Sequence, residues 1–458
     1  MAPIPNPHYL AAESIVTRLR SHGHQAYFAG GCVRDLLLGL VPKDYDVATS
    51  ATPDQVVALF EKTFTVGAHF GVVLVVNEDG IATEVATFRN DGAYSDGRRP
   101  DAVRFSTDPR EDVLRRDFTI NGMLFDPEIF TQTNDAAKAT LDFVGGRDDL
   151  RDHILRAIGD PNLRFTEDKL RMLRAIRFAA RLNFQIHNST AAAIRLHASG
   201  IHQVSPERVR DELTRILTEG HARSGFELLD QLGLLTEVLP EITRMKGVQQ
   251  PPQFHPEGDV WTHTLLLLEK LPARCSPTLS WGALLHDAGK PATFRPPDPS
   301  KPGDRIRFDG HVEVGIRIAE EICRRLRFSN EDSSQIVALV HNHMRFSDVM
   351  RMKQSTLKRF FRLPRFEEHL ELHRLDASSA HGDLTLYHFA RDRFANMPPE
   401  EFRPPLYITG ADLIAAGYKP GTDFKQMLSL AEDAQLEGRI HSKEEGMEML
   451  SAQFPLPE

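Results

Sequence analysis

The pattern of hydrophobic and polar positions divides the chain into two parts. Near the start, short apolar runs are bounded by turn residues, which is typical of strands. The run Val-Val-Leu-Val-Val at 72–76 predicts a buried strand, and Thr52 predicts the N-cap of a helix over 53–60. This part is therefore predicted to be an α/β head that extends to about residue 126, with a first amphipathic helix at 8–22 and strands at 26–29, 46–48, 71–76 and 82–88.

The strand pattern disappears from Asp149 onward, where helical periodicity takes its place. Gly200, Gly220 and the stretch 247–252 interrupt this periodicity. The polar residues 127–140, which lie between the two parts, are predicted to form a loop insertion. Helices are predicted at 160–183, 189–197, 206–217, 224–232 and 260–271.

Proline-rich stretches mark the further boundaries. Two of them, 251–259 and 402–407, are expected to separate domains, and a third, 295–304, is expected to be a linker inside a domain. The predicted fold class is α+β, an α/β head followed by all-helical domains. The expected division is a head, a neck and body, a third helical domain and a tail, at 1–148, 149–250, 251–400 and 401–458.

Composition limits the class of protein. The chain has 458 residues, of which 41% are hydrophobic, so it can bury a sizeable core. It contains no run of about 18 apolar residues, and its first ten residues lack the features of a signal peptide. Cys32, Cys275 and Cys323 are far apart, which argues against a disulfide framework or a zinc ribbon. We therefore expect a cytoplasmic protein with no membrane contact.

Charge is distributed unevenly along the chain. The net charge of −9 argues against a nucleic-acid partner for the chain as a whole. Residues 151–223, however, carry 13 Lys and Arg against 8 Asp and Glu, and so a net charge of +5 between two acidic parts. A basic segment of this kind can hold a phosphate backbone, although an ordinary charged helical surface would have the same composition.

A glycine pair and two aspartates carry the first candidate site. Gly30 and Gly31 lie between an apolar run and a helix-like run, which predicts a strand-to-helix turn whose N–H groups attract phosphate. Asp44 and Asp46 are two residues apart, so on a strand both carboxylates face the same side. Two carboxylates beside a phosphate cradle suit Mg²⁺. This combination indicates two-metal nucleotidyl transfer.

A second motif lies in the basic segment. On a helix over 160–183, Arg171, Arg174 and Arg177 form a cationic ridge, and Asp168 lies one turn before Arg171. An Asp acceptor beside an Arg donor can imitate the Watson–Crick edge of a base and select C or A without a template. A surface salt bridge is the alternative interpretation.

Histidines and aspartates in the second half predict a metal site. Imidazole and carboxylate ligands on helices suit a divalent metal that activates water. The order of His263, His286, Asp287 and Asp376 resembles that of the ligands in an HD-domain metal site. His311, His341 and His343 could extend it to a second metal or bind phosphate, and Lys290 could contact phosphate.

These motifs together resemble the class II (bacterial-type) CCA tRNA nucleotidyltransferase and poly(A) polymerase family with an HD domain. The resemblance rests on GGCVRDLLLG and KDYDVATSATP, on EVATFR, RRDFTIN and EDKLRMLRAIRF, and on LLHDAGK, DGHVEVG, VHNH and RLDASSAHGD, in that order along the chain. It covers nearly the whole chain, with 127–140 as the main departure. It implies a nucleotidyltransferase head, a neck and body that select the base and bind RNA, an HD domain and a tRNA-contacting tail.

The resemblance also implies roles for single residues. Asp44 and Asp46 would hold Mg²⁺, and Glu84 would be a third catalytic carboxylate or a surface strand residue. Asp168 and Arg171 would select the base. The rest of the implied nucleotide site comprises Gly30, Gly31 and Arg34 at the triphosphate, Arg116 at the triphosphate or sugar, Asp117 at the ribose, Arg174 and Arg177 at the base or phosphate, and the polar loop 89–105, which helps the switch from C to A addition.

The expected activity is template-independent addition of CCA to the 3′ end of tRNA from CTP and ATP, by attack of the 3′-hydroxyl on the α-phosphate with release of pyrophosphate. The alternatives are a poly(A) polymerase, an enzyme that adds only the terminal A, and a protein whose main activity is an HD phosphohydrolase. The expected cofactors are Mg²⁺ in the head and a divalent metal of unknown identity in the HD domain. DNA is not an expected partner.

Overall fold

The chain folds into two compact units. In this computed structural model, residues 6–65, 71–92 and 103–455 are described. The units are Met1–Pro240 and Glu241–Glu458. The predicted domain division is finer than these two units and stays a prediction. In the described part of the chain, no helix combines the length and apolar character needed to cross a bilayer.

A mixed sheet forms the start of the first unit. The strands of this part are β1 (Ala26–Ala29), β2 (Asp46–Thr49), β3 (Thr63–Phe64), β4 (Val72–Val76), β5 (Ala82–Thr87), β6 (Arg89–Asp91), β7 (Val103–Phe105), β8 (Met123–Phe125) and β9 (Thr140–Asp142), of which β6 and β7 form a separate pair. The other seven strands form the sheet, in the order β3-β4-β5-β2-β1-β8-β9. β1 pairs antiparallel with β2 and β8, whereas β2 and β5 are parallel.

Alternating burial explains why these residues form strands. In β5, Thr83, Val85 and Thr87 are buried, while the residues between them face away from the core. Ala29 and Ala48 of two neighbouring strands lie in one core cluster with Phe88 and Leu124, and the strands expected from the apolar runs are confirmed. The predicted loop 89–105 includes β6 and β7, and its residues 93–102 lie outside the described residues.

Helices cover the sheet and build the rest of the first unit. The predicted Thr52 cap is confirmed as a capping box with Gln55. The helices are α1 (Pro7–Ser21), α2 (Gly31–Leu37), α3 (Pro53–Leu59), α4 (Pro109–Leu114), α5 (Pro127–Thr133), α6 (Ala136–Ala139), α7 (Gly146–Arg151), α8 (Pro161–Glu167), α9 (Leu170–Leu182), α10 (Asn188–His197), α11 (Pro206–Thr218), α12 (Ala222–Gln231) and α13 (Leu234–Val238).

The prediction of a loop insertion at 127–140 is wrong. Asp126 caps α5 by accepting hydrogen bonds from the N–H groups of Glu128 and Ile129, and Phe130 is buried against Phe125 at 5.3 Å between ring centroids. Capping and one aromatic contact therefore make this polar stretch helical.

The strand signal also does not vanish completely after Asp149. Two short parallel strands, β10 (Ile154–Leu155) and β11 (Gln185–Ile186), pair with each other. Each of these strands has two residues, which are too few to show the alternating hydrophobic pattern that predicts a strand from the sequence.

The second unit is helical. Its core includes Leu267, Leu339 and Leu375, which lie on three different helices. The remaining helices of the chain, the first of which begins at Pro240, are α14 (Pro240–Thr243), α15 (Val260–Glu269), α16 (Pro277–Leu285), α17 (Lys290–Thr293), α18 (His311–Arg325), α19 (Asn330–Asn342), α20 (Gln354–Phe361), α21 (Phe366–Ser379), α22 (Thr385–Asn396), α23 (Pro399–Phe402), α24 (Gly410–Ala415), α25 (Thr422–Leu436) and α26 (Lys443–Gln453). The predicted fold class is confirmed.

A glycine allows two elements of this unit to approach closely. A Cβ atom on Gly289 would lie 2.0 Å from the carbonyl oxygen of His311 and 2.6 Å from the backbone nitrogen of Gly315. The turn after α16 can therefore pass against the start of α18 only because position 289 has no side chain.

Replacing this glycine is expected to destabilise the protein. Gly289→Ala should lower the free energy of unfolding by about 1–3 kcal/mol, because the backbone must move to accommodate the methyl group. Gly421→Ala is the control, because its Cβ would meet its nearest atom at an ordinary 3.8 Å. Urea denaturation of both variants measures the effect. Equal stability of the two variants would contradict this account.

Candidate nucleotide site and candidate metal centre

Three carboxylates lie close together near the beginning of β2, an inner strand of the head's sheet. Val47 of β2 pairs with Val85 of β5 in parallel register, so Asp46 and Glu84, one residue earlier on each strand, lie side by side. Asp44 comes just before β2. The pKa of Asp46 is raised to about 6 by protein atoms that displace water around its carboxylate and by the negative charges of Glu84 and Asp44, although the side chain keeps an exposed surface. Carboxylates that repel one another in this way form a donor set that suits Mg²⁺.

The glycine turn lies directly across from this cluster. Gly30 has φ 80°, a conformation that side chains with a Cβ rarely adopt. A Cβ at Gly30 would lie 3.3 Å from Nη1 of Arg116 and 3.9 Å from Oδ2 of Asp46. Gly31 begins α2. The structure therefore brings the predicted turn, one predicted carboxylate and the predicted cation Arg116 together.

Asp112, which the sequence analysis missed, holds the arginine pair. Its carboxylate is fully buried and accepts from Arg115 at 2.5 Å and from Arg116 at 2.8 Å. Burial opposes ionisation of Asp112, but the two guanidinium groups outweigh it and lower the pKa of Asp112. The i, i+3 and i, i+4 spacing to Arg115 and Arg116 is the sequence signal that indicates such a contact.

Arg34 lies in a buried chain of polar contacts. Its guanidinium pairs with Asp35 at 2.7 Å and donates to Asn121 at 2.7 Å, and only 4% of its side chain is exposed. Asn121 in turn donates to Asp117 at 3.3 Å, and Asp117 pairs with Arg174 at 2.6 Å. The groups of Arg34 are thus bound to the protein, and its contact with a triphosphate stays a prediction.

The predicted continuous helix over 160–183 is wrong. Asp168 is extended, with φ −140° and ψ 105°, and separates α8 from α9. Its carboxylate accepts from the N–H of Leu170 at 3.1 Å and pairs with Arg208 at 3.0 Å. An aspartate that binds the backbone N–H two residues ahead competes with helical continuation, which explains the break.

Asp168 and Arg171 consequently do not pair in the manner of a helical turn. Arg171 pairs with Glu167 at 2.6 Å and donates to the carbonyl oxygen of Arg115 at 3.0 Å. The start of α9 is thereby tied to the arginine pair of the head. Selection of a base by Asp168 and Arg171 stays a prediction.

The arginines of α9 are largely neutralised by partners. Arg174 pairs with Asp117, and Arg177 pairs with Glu212 at 2.7 Å. The Arg34, Arg174 and Arg177 guanidinium groups all lie near the ring of Phe178, at 5.4, 5.3 and 4.3 Å from its centroid. The predicted cationic ridge is therefore an ion-paired contact that joins α9 to the head and to α11.

Four side chains predicted as HD-site ligands converge in the second unit. Nε2 of His263 lies 3.1 Å from Oδ1 of Asp376 and 4.0 Å from Oδ2 of Asp287, and Nε2 of His286 lies 3.2 Å from that same Oδ2. The ligand atoms of His263, His286 and Asp376 all lie within 4.8 Å of one another. Burial disfavours the charged His263 ring, but Asp376, Glu257 and Asp287 raise its pKa to about 9.

A second group adjoins the first through Asp287. His311 and His343 approach each other at 3.4 Å between their Nε2 atoms and lie 3.9 and 3.8 Å from Oδ1 of Asp287. Burial lowers the pKa of His343 to about 4, so its ring is neutral near pH 7. His341, in contrast, is exposed and belongs to no such group among the described residues, so its role at the site stays a prediction.

Hydrogen bonds to Nδ1 leave Nε2 free to bind a metal in these histidines. Nδ1 of His286 contacts the carbonyl oxygen of Ala283 at 2.8 Å, and Nδ1 of His311 and His343 each contacts a carbonyl three residues earlier, at 2.9 and 2.6 Å. The Nε2 atoms of His263 and His286 are buried and lack a hydrogen-bond partner within the described ranges. Buried acceptors that converge without donors are what a divalent metal would satisfy.

The metal group opens into a cavity. The cavity has a volume of about 600 Å³ and is lined by Asp287, His311, His343 and Asp376 on one side. Lys290, which pairs with Asp287 at 2.7 Å and donates to Gln250 at 2.7 Å, also lines it. Other lining residues include His255, Phe254, Arg305, Arg307 and Phe308. A phosphate ester that enters this cavity would therefore contact cationic side chains, among them Lys290, as well as the candidate metal ligands.

Comparisons with known proteins agree with this arrangement. Models of the poly A polymerase head domain, of the probable RNA- and SrmB-binding site of polymerase A, and of the HD domain match residues 26–156, 183–246 and 259–377. The CCA-adding enzyme of Geobacillus thermodenitrificans is 42% identical over 230 residues, which are 50% of this chain and 54% of that protein. The CCA-adding enzyme of Bacillus pumilus is 39% identical over 268 residues, 57% of this chain and 64% of that protein. The chain thus spans about half to two thirds of the length of the curated relatives it matches.

Solved structures extend the likeness over the full chain. The crystal structure of the Bacillus stearothermophilus CCA-adding enzyme in complex with CTP is 26% identical, with a TM-score of 0.71, and the match covers 98% of this chain and 99% of that one. The Thermotoga maritima CCA-adding enzyme complexed with tRNA shares the fold, with a TM-score of 0.56 at 18% identity and a match that covers 98% of this chain and 96% of that one. Models of a poly A polymerase head domain, an RNA-binding region and an HD domain thus match this chain in that order.

The buried carboxylate of Asp112 yields a stability prediction. Asp112→Ala should lower the free energy of unfolding by about 3–5 kcal/mol, because the partly buried Arg116 guanidinium loses the carboxylate that it pairs with. Asp148→Ala is the matched control, since Asp148 pairs with Arg151 on the surface, and should change the stability by less than about 0.5 kcal/mol. Chemical denaturation measures both, and a loss of less than 1 kcal/mol at Asp112 would contradict the assigned role.

Proposed function

We propose that the protein is a template-independent RNA nucleotidyltransferase that adds CCA to the 3′ end of tRNA from CTP and ATP. The observation that carries the proposal is the carboxylate cluster of Asp44, Asp46 and Glu84 opposite the Gly30 turn and Arg116. Relatives named CCA-adding enzymes support the choice of reaction, as does the likeness to such an enzyme solved with CTP.

The carboxylates define where the reaction would take place. Asp44 and Asp46, with Glu84 beside them, would hold Mg²⁺ ions. When bound, the ions would lower the pKa of the RNA 3′-hydroxyl and stabilise the charge on the phosphates. The new bond joins the 3′-oxygen to the α-phosphorus, and the bond to pyrophosphate breaks.

The turn and the arginines would orient the nucleotide. The amide groups at the start of α2 after Gly30, with Gly31 leaving room for close approach, would bind the triphosphate. Arg116, held by Asp112, would neutralise its charge or contact the sugar, and Asp117 would contact the ribose. Arg34 and Arg174 would act indirectly, because Arg34 holds Asn121 in place and Arg174 holds Asp117 in place.

Base choice is assigned to the start of α9. Asp168 is held by Arg208 and by the N–H of Leu170, and Arg171 is held by Glu167, so both are fixed before a base arrives. A fixed acceptor and a fixed donor would accept C or A and reject bases whose pattern is reversed. Arg177 would support this arrangement through Glu212.

A second activity is favoured by the metal centre of the second unit. Two groups of three ligands adjoin each other, because Asp287 of the second group contacts His286 of the first, and the cavity beside them is lined by Lys290. We propose that this centre binds a divalent metal and hydrolyses phosphate esters. The variants described below distinguish this proposal from the alternative that hydrolysis is the main activity.

The domain assignments follow from these two sites. We propose that 1–148 is the catalytic head, 149–250 the base-selecting and RNA-binding region, 251–400 the HD domain and 401–458 a tRNA-contacting tail. A cytoplasmic location is proposed with the tRNA substrate, and neither DNA nor a membrane is a proposed partner.

Separate variants of the two sites test the proposal. Asp46→Asn should reduce CTP and ATP incorporation into tRNA lacking its 3′ end by at least about 100-fold, because it removes a charged metal ligand. Asp287→Asn should leave incorporation unchanged and abolish hydrolysis of a generic phosphodiester such as bis(p-nitrophenyl) phosphate. Single-turnover incorporation and a colorimetric hydrolysis assay measure the two activities.

The outcomes separate the alternatives. Incorporation that survives Asp46→Asn would contradict the head's assignment. Hydrolysis without any incorporation in the unmodified protein would make the phosphohydrolase the main activity. Long A tails on any RNA would indicate a poly(A) polymerase, and addition of a single A only to tRNA ending in CC would indicate an A-adding enzyme.

Base choice has its own test. Asp168→Asn keeps an oxygen that can cap α9 but presents an amide in place of a carboxylate. It should raise incorporation of GTP or UTP relative to CTP and ATP by about tenfold, the value of one hydrogen bond to a base edge. Arg181→Gln is the control, because Arg181 lies on the same helix and pairs with Glu219. An unchanged ratio for Asp168→Asn would contradict the assignment.

A further inference from the structure

One histidine of the metal centre is held differently from the other three. His286, His311 and His343 each direct Nδ1 to a backbone carbonyl of the preceding helical turn or chain segment. Nδ1 of His263 instead lies 2.7 Å from Oε1 of Glu257, a carboxylate from the segment before α15. A charged side chain therefore takes the place that a main-chain oxygen has at the other three.

The contact is buried and well defined. His263 is fully buried and only 7% of the Glu257 side chain is exposed. A carboxylate at Nδ1 holds a proton on that nitrogen, so Nε2, which faces Asp376 and Asp287, is the nitrogen that a metal would bind.

The same carboxylate oxygen also holds a residue of the cavity wall. Nδ1 of His255 lies 2.9 Å from Oε1 of Glu257, and the His255 and His263 rings meet edge to face at 4.9 Å between centroids. His255 lines the cavity, whereas His263 lies behind it. Glu257 therefore fixes the position of a wall residue and of a metal-facing residue through one atom.

We propose that Glu257 is a positioning residue of the metal centre, which sets the tautomer and orientation of His263 and raises its basicity as a ligand. This inference rests on the proposed metal-binding function of the centre. A carboxylate behind a ligating histidine raises metal affinity, and its loss typically costs 10- to 100-fold. The sequence signal is weak, since Glu257 lies six residues before His263 in a stretch of prolines and glycine.

An alternative arrangement of the same side chains makes a different prediction. His255, Glu257 and His263 also lie close enough together to bind an ion themselves. In that case Nδ1 of His263 would be a ligand, and His255 would matter as much as Glu257. If Glu257 only positions His263, loss of His255 leaves the metal affinity intact.

Co²⁺ titration of the full chain tests the inference. All proteins carry Asp44→Ala and Asp46→Ala, so that the head does not contribute binding, and Asp287→Asn in this background defines the signal of the metal centre. Calorimetry gives the affinity, and the visible absorption of bound Co²⁺ reports its coordination. Thermal unfolding without metal confirms that each variant is folded.

The expected results are graded. Glu257→Ala should weaken Co²⁺ binding 10- to 100-fold and change the absorption spectrum. Glu257→Gln should have a smaller effect in the same direction, because its amide oxygen still accepts a hydrogen bond but carries no charge. His255→Ala should stay within threefold of the background protein. Glu368→Gln is a control in the same unit, at a carboxylate that accepts hydrogen bonds from Ser276, Thr278 and Gln335, and its Co²⁺ affinity should also stay within threefold of the background protein.

Contrary outcomes are distinguishable from failure of the proposed metal centre. If the background protein binds no Co²⁺ at the site defined by Asp287→Asn, the metal centre itself is refuted. If it binds Co²⁺ and Glu257→Ala, folded, binds within threefold of it, the positioning role is refuted. An equal loss in His255→Ala and Glu257→Ala would also refute it, in favour of Glu257 as a ligand.

Discussion

Pairing of buried arginines with carboxylates from other elements is the interaction on which the nucleotide site depends. A guanidinium removed from water is costly unless a carboxylate or an equivalent acceptor compensates it. In the first unit Asp112 holds Arg116, four residues later, toward the carboxylate cluster, and Asp117 links Arg174 of α9 to the head. Removal of one partner would leave charges buried in the wall of the site. The positions of the charged groups are therefore fixed before any nucleotide binds.

The candidate metal centre is under the same constraint, but its buried groups are histidines and carboxylates instead of arginines. Its histidines face one another closely enough that their Nε2 atoms cannot all be satisfied by protein donors. Backbone carbonyls and one carboxylate bind the opposite ring nitrogens, so the free nitrogens converge on Asp287. Gly289 lets the His-Asp turn pass against the start of α18, which places His311 beside that carboxylate. Both candidate sites thus consist of groups whose charges or lone pairs are arranged in advance.

Sequence reasoning reached the parts of this arrangement that are local. The apolar runs and the Thr52 cap predicted strands and a helix correctly, and spacing brought Asp46 near the glycine turn. It failed where a tertiary contact decides the outcome. The stretch 127–140 is helical and packs Phe130 against Phe125, and the chain breaks between α8 and α9 at Asp168, whose carboxylate pairs with Arg208 of α11. Partners distant in sequence, such as Glu212 for Arg177, have no local signal, since their proximity follows from the packing of two helices.

The central claim is that the head adds a defined sequence to a defined RNA end, and the identity of the product tests it most directly. The measurement is sequencing of the 3′ ends formed when the unmodified protein, Mg²⁺, CTP and ATP act on tRNA that lacks its terminal nucleotides. The account predicts tRNA that ends in CCA, with addition stopping there, and only C addition when ATP is left out. Ends of any other sequence or of unlimited length, or no extension at all, would contradict it.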